Sequence, residues 1–426
     1  MNNRVARQNT FRFFPPALRV VGLAVWLALP ALGGTITVAN ANDSGAGSLR
    51  QAIASANAAG TASSIIFNAA LAGQTITLTS GQLTLTGNAT IDASALSGGI
   101  SLSGNNSSRV LQIAAGATVA LAALTIRNGV APAGSYPANS GGGILNQGTL
   151  TLTNCTLTGN QAVQSFAAGG GGIENNNASL AVYNSTLAGN SALLGGGIDS
   201  YPTAATALLS QCTVAGNTAT QNGGGCYSEG TLIVDQSTLS GNQAGALCGG
   251  INQYGGALTL KNSIVAGNTQ ATGGDLAASN PITFAGANLT SGTPLLSPLG
   301  NYGGPTQTMP PQLASPAIDA AIGSTFTTDQ RGFPRVVGAA ADLGATEGGL
   351  TLRLTSLSKL GNGTVQFKFT YLSGQTYTVF ACTNVAMPLN TWSSLGLATE
   401  SSPGQFQFTD TQAQNFRQRF YRVTSP

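Results

Sequence analysis

The sequence predicts an all-β chain: a parallel β-helix with a short N-terminal capping helix and a small C-terminal β-sandwich. Three observations carry that expectation. A glycine-rich element recurs at Gly141-Gly142-Gly143-Ile144, Gly170-Gly171-Gly172-Ile173, Gly195-Gly196-Gly197-Ile198, Gly223-Gly224-Gly225-Cys226 and Cys248-Gly249-Gly250-Ile251, with closing residues 29, 25, 28 and 25 apart. A hydrophobic-x-Gly-Asn element alternates with it, ending at Asn160, Asn190, Asn217, Asn242 and Asn268. Apolar residues lie at every second position between them: Leu150/Leu152, Leu180/Val182, Ala207/Leu209, Leu232/Val234 and Leu258/Leu260. Recurrence over this length is the signature of a solenoid, and a period of two marks strands with one buried face. A unit of about 25 residues with two or three short strands cannot bury its inner face alone, but stacked units share one core.

The elements follow in chain order. Residues 1–33 carry Arg4, Arg7, Arg12 and Arg19 ahead of an apolar run, Val20 to Leu32, and then small residues suited to cleavage. This is the pattern of a secretory signal peptide, and the run is short for a membrane span. Its removal leaves 12 basic residues against 13 acidic ones, so the net charge of +3 belongs mostly to the leader. The expected mature chain is exported, near neutral and without a membrane span. Residues 35–277 form the β-helix with its cap, with clear repeats over 141–277. Ser48 and Gln51 make a capping box, and Leu49, Ile53 and Ala56 share one face of a short helix that covers the first coil. Irregular coils follow from Thr75 to Gly129. Within the repeats, Cys155, Ser185, Cys212, Ser237 and Ser263 make a file of small residues at one bend. Cys155 and Cys212 sit two coils apart, about 9.6 Å, beyond disulfide reach. Asn160, Asn190, Asn217, Asn242 and Asn268 are expected to tolerate left-handed backbone and to bond from coil to coil as a ladder. Residues 278–347 are a closing region in which Asp329, Arg331, Arg335, Asp342 and Glu347 pin irregular loops through charge-assisted hydrogen bonds. From 350 to 426 a new alternation begins at Val365, Phe367 and Phe369. With turn signals at Asn362-Gly363 and Ser373-Gly374, it predicts a sandwich of six or seven strands with Trp392 as a core residue.

Several of these blocks resemble known families. The GG[GA]I element paired with hydrophobic-x-Gly-Asn is similar to the polymorphic outer membrane protein repeat, which implies a right-handed β-helix on a bacterial surface. Gly47-Ser48-Leu49-Arg50-Gln51-Ala52-Ile53 resembles the start of CSLREA-type exported β-helix proteins, without the leading Cys. The run Pro298-Leu299-Gly300-Asn301-Tyr302-Gly303-Gly304-Pro305-Thr306, then Ser315-Pro316-Ala317-Ile318-Asp319, then Asp329-Gln330-Arg331-Gly332 resembles the choice-of-anchor Q domain. Such proteins often end in a hydrophobic anchor, and none is expected from the residues that close this sequence.

Composition narrows the chemistry. The chain has no His, which excludes His-dependent nucleophile systems and imidazole metal ligands. Sixteen Lys plus Arg in 426 residues are too sparse for a nucleic-acid footprint. No CxxC is present, no metal site is expected, and no cofactor is implied. The Gly triplets lack the Lys and the helix of a phosphate loop. One outward face remains. The residues after the glycine elements are Leu145, Glu174, Asp199, Tyr227 and Asn252; two further along are Gln147, Asn176, Tyr201, Glu229 and Tyr254. Glu174 and Asp199 on adjacent coils suit the paired carboxylates of a retaining glycosidase. Tyr201, Tyr227 and Tyr254, with Glu229, suit stacking on sugar rings. Stacked carboxylates are equally a plain solvated surface. The preferred reading is a secreted or cell-surface structural, adhesin-like protein without catalysis. The alternatives are a neutral-glycan hydrolase using Glu174 and Asp199, and a carbohydrate-binding surface protein; cell-surface or extracellular polysaccharide is the partner to test.

Overall fold

In the computed structural model, the described residues are 33–162, 168–348, 352–371, 376–402 and 405–424. Of the expected leader only Gly33 falls within them, opening the strand Gly33–Val38; Ser373-Gly374 lies outside them. The alternating segments form strands that stack in parallel, in register: Leu150 pairs with Leu180, then Ala207, Leu232 and Leu258. The result is a right-handed parallel β-solenoid. Among the described residues its four parallel sheets hold ten, eight, eight and five strands, so the stack extends beyond the five clear repeats. One continuous core runs its length and contains each alternating apolar pair.

The N-terminal cap is the helix Leu49–Ala58, which buries Leu49, Ala52, Ile53 and Ala56. Ser48 accepts from the Gln51 amide at 3.2 Å, while Gln51 Oε1 reaches back one residue further than expected, to the Gly47 amide at 2.9 Å. Asn57 fastens the helix to the next coil, donating to Thr84 O at 2.8 Å and accepting from the Thr86 amide at 2.9 Å.

Each regular coil has a fourth strand beyond those the alternation reveals: Gln161–Ala162, Ser191–Leu194, Thr218–Asn222, Gln243–Leu247 and Thr269–Thr272. Their inward residues are mostly Ala, because the glycine elements run directly against them. A Cβ on Gly142, Gly171, Gly196, Gly224 or Gly249 would stand 2.3 to 2.6 Å from a backbone carbonyl of the facing fourth-sheet strand. The second glycine of each element is therefore there for close backbone approach, while the first, at Gly141, Gly170, Gly195 and Gly223, carries a positive φ.

The asparagine ladder is present. Asn160 Nδ2 donates to Asn190 Oδ1, Asn190 to Asn217, Asn217 to Asn242 and Asn242 to Asn268, each at 2.9 Å, and Asn268 continues to Asp275. The left-handed backbone is displaced from where the sequence reading put it. The preceding glycines, 159, 189, 216, 241 and 267, carry the positive φ. Asn and Gln do take that conformation at another bend: Asn154, Asn184, Gln211, Gln236 and Asn262, each just before the small-residue file. In that file Cys155 N donates to Ser185 Oγ at 2.9 Å and Cys212 N to Ser237 Oγ at 3.0 Å. All five cysteines are buried and unpaired, and burial pushes the thiols of Cys212 and Cys226 up to about 12.

The closing region does more than end the stack. It runs back along the outside of the sheet that contains Thr186, Thr213 and Thr238. Thr186 Oγ1 donates to Gln307 O at 2.6 Å, Thr213 Oγ1 to Gln330 Oε1 at 2.7 Å, and the Ala345 amide to Thr238 Oγ1 at 3.0 Å. Asp329, Arg331, Arg335, Asp342 and Glu347 are all buried. Arg331 grips Asp329 at 2.6 Å and donates to Glu347 O; Arg335 donates to Asp342 O at 3.0 Å and lies 3.7 Å from Glu347. Asp342 accepts from the Asp319 amide at 2.7 Å. Burial, and then the Asp342 charge, pushes the Glu347 carboxyl up to about 8.

Beyond residue 351 the described strands form antiparallel sheets of four and three strands, seven in all. Their shared core is Phe367, Phe369, Tyr377, Val379 and Phe406; Trp392, expected in that core, is buried outside this cluster and donates to Met387 O at 3.2 Å.

Candidate functional site

The glycine elements set the register of the sheet that carries the candidate face. Glu174 pairs with Asp199, Asp199 with Tyr227 and Tyr227 with Asn252; Asn176 pairs with Tyr201. The length changes between glycine elements therefore leave the register intact. The two carboxylates are neighbours across one strand spacing. They point away from the apolar core, as expected, but do not meet solvent: Glu174 is 0% exposed and Asp199 3%.

Two segments seal them. Gly169 lies directly on the pair, and a Cβ there would fall 1.8 Å from Asp199 Oδ2 and 2.8 Å from Glu174 Oε2. The loop Ala131–Ser140 closes beside it. Its Tyr136 hydroxyl donates to Glu174 Oε1 at 2.7 Å, and Asn176 Nδ2 donates to that hydroxyl. Tyr136 also meets Tyr201 edge to face at 5.2 Å. Ser140 Oγ accepts from the Gly169 amide at 3.0 Å, joining the two segments. Behind the loop, buried Arg109 donates to Gly141 O at 2.9 Å, Ser140 O at 2.8 Å, Ala138 O and Gln82 Oε1. Among the described residues Arg109 forms no ion pair; Glu174 is the anion whose field it feels.

The electrostatics follow from this enclosure. Burial raises the Asp199 carboxyl to about 8, with the Glu229 charge adding to it. Glu174 is also raised, by burial and then by Asp199, against the lowering effect of Tyr136 and Arg109. Glu174 Oε2 and Asp199 Oδ1 are buried without a hydrogen-bond partner among the described residues.

The binding candidates divide. Tyr254 is 63% exposed and stacks on Tyr227 with centroids 6.3 Å apart; Tyr201 is 36% exposed. Tyr227 itself is buried and donates to Glu229 Oε1 at 3.2 Å. Among the described residues no cluster of three Cys, Asp or Glu side chains could hold a metal ion, and no helix is long and apolar enough to cross a membrane. A shallow groove of about 400 Å³ lies elsewhere, between Ala188, Ala215 and Ser240 on one side and Leu299, Gln307 and Met309 on the other; nothing lining it titrates.

No protein-family model and no curated protein matches the chain. The site therefore has to be read from its own geometry. Sequence reasoning missed Tyr136, Arg109 and Gly169, the residues that enclose the acids. Tyr136 and Arg109 lie 38 and 65 positions before Glu174, outside the repeated elements, so no spacing argument reaches them. It also missed a second ladder, in which Asn146 donates to Asn175 at 2.8 Å and Asn175 to Ser200 at 3.0 Å. Its signal was legible, since these polar residues occupy an inward position of the alternation.

Proposed function

We propose that this chain is an exported, cell-surface structural protein: a rigid β-helical rod that presents a face and performs no catalysis. The observation that carries the reading is the unbroken Asn160-to-Asp275 ladder, which spends one asparagine of every regular coil on holding the next coil. The leader-like N-terminus supports export. The resemblances to polymorphic outer membrane protein repeats, to CSLREA-type starts and to choice-of-anchor Q domains support a bacterial surface location. Burial of Glu174 and Asp199 weighs against the hydrolase, because a glycosidic oxygen must reach both carboxyls. The measurement is sugar release from a panel of neutral polysaccharides. None is expected; release that disappears in Glu174→Gln would establish the hydrolase instead.

A second reading, glycan binding on the same face, is favoured by one feature. Tyr254 stands exposed over Tyr227, a platform of the kind on which a sugar ring stacks. Binding on a glycan array that falls at least about tenfold in Tyr254→Ala would support it; silence across neutral glycans would remove it.

A further inference from the structure

The sealed acid pair poses a charge-balance problem. Two carboxylates and one guanidinium are buried together at the junction of Gly169 and the Ala131–Ser140 loop. Arg109 spends its donors on neutral oxygens, so it offers the pair one unit of charge and no hydrogen bond. Tyr136 supplies one donor to Glu174. Two carboxylate oxygens, Glu174 Oε2 and Asp199 Oδ1, have no donor among the described residues, and an unpaired buried charge is costly. Like charges at one strand spacing cannot both ionise in such a site, as the handling of close carboxylate pairs elsewhere illustrates. One proton relieves the difficulty. It removes one of two adjacent buried charges, and it leaves a single negative charge in the field of Arg109.

We propose that Glu174 and Asp199 share one proton, and that this proton is the latch holding the Ala131–Ser140 loop closed over the coil. Loss of the proton to hydroxide, forming water, leaves two adjacent carboxylates. Their repulsion, and that of nearby Glu229, is relieved by lifting Gly169 and the loop to admit water. The groups facing the pair are Tyr136 from the loop, Arg109 from behind it, and Glu229 with Tyr227 from the following coil. Of these only Arg109 opposes opening by its charge. The raised affinity of both carboxyls for protons agrees with this and puts the transition on the alkaline side of neutrality. Opening uncovers Tyr201 as Tyr136 departs. The latch works whether or not that face binds glycan.

Amide hydrogen exchange in the intact protein tests the latch, with rates corrected for base catalysis. Protection across 131–140 should fall at least about tenfold between about pH 6 and about pH 9.5, while the core strand Thr149–Thr153 keeps its protection. Asp199→Asn mimics the protonated acid and should abolish the fall; Glu174→Gln should do the same and serves if the first variant does not fold. Unchanged loop protection in the wild-type protein overturns the proposal by itself, and so does an equal fall in a folded variant. Restoration of protection at about pH 9.5 by millimolar calcium would assign the pair to a cation rather than a proton, and would also overturn it.

Discussion

Asp199 keeps a proton to about pH 8 because Gly169 and the neighbouring coil deny it water, and that has a consequence for stability. The folded-state affinity is raised above the unfolded value of about 3.9, so the folded chain binds the proton more tightly. This contribution is fully present below about pH 4 and is lost as pH rises through about 8. Glu174 and Glu347 are shifted in the same direction. The melting temperature is therefore expected to fall between about pH 5 and about pH 8, and Asp199→Asn should flatten that decline; thermal scans across the range check both. The ladder asparagines make a second residue-scale test. Asn217 accepts from Asn190 and donates to Asn242 and to Leu187 O, all buried. Replacing it with Ala strands those groups and should cost on the order of 2–4 kcal/mol in denaturant unfolding. Asn268→Ala, at the more exposed end, should cost less. The ladder was legible in the sequence because its residues recur at one position. The latch was not, because Tyr136 and Arg109 each occur once.

At the level of the element, the glycine run and the closing region each act through contact with a neighbour. Gly196 meets the carbonyl oxygens of Gly224 and Thr218, both within 2.6 Å of a Cβ placed on it. Both contacts are backbone, so Gly196→Ala must shift a coil and should cost about 2 kcal/mol or more. By contrast Gly216, which has positive φ but open space, should tolerate Ala at about 1 kcal/mol; paired denaturant melts distinguish the two causes. In the closing region Arg331 is wholly buried against Asp329. Arg331→Met leaves that carboxylate unpaired and should cost about 3–5 kcal/mol, loosening the contacts of residues 306–345 with the sheet beneath. The sequence announced the glycine files, and both uses of glycine occur in them: positive φ at Gly141, Gly170, Gly195 and Gly223, and close backbone approach at the glycine that follows each. Their role against the fourth sheet was hidden because that sheet contributes only one or two inward alanines per strand, too few to display a period.

For the whole molecule, the solenoid core and the sandwich core share no residue. Trp392 is the only Trp besides Trp26 of the leader-like segment, so in a variant carrying Trp26→Phe the Trp fluorescence reports the sandwich alone. Unfolding followed by Trp fluorescence and by far-ultraviolet circular dichroism should give separate midpoints; coincident curves would mean that the two units unfold as one. Across the molecule, the sequence by itself determined the repeat, the strand faces, the capping helix, the ladder and the sandwich. Each of these is written in local spacing, and parallel stacking maps equal spacing onto equal height. Only the tertiary structure decided that the acid pair is sealed, that the closing region lies along the flank, and that the glycines serve a fourth sheet. Those outcomes depend on segments distant in sequence that meet once, and contacts of that kind leave no period behind them.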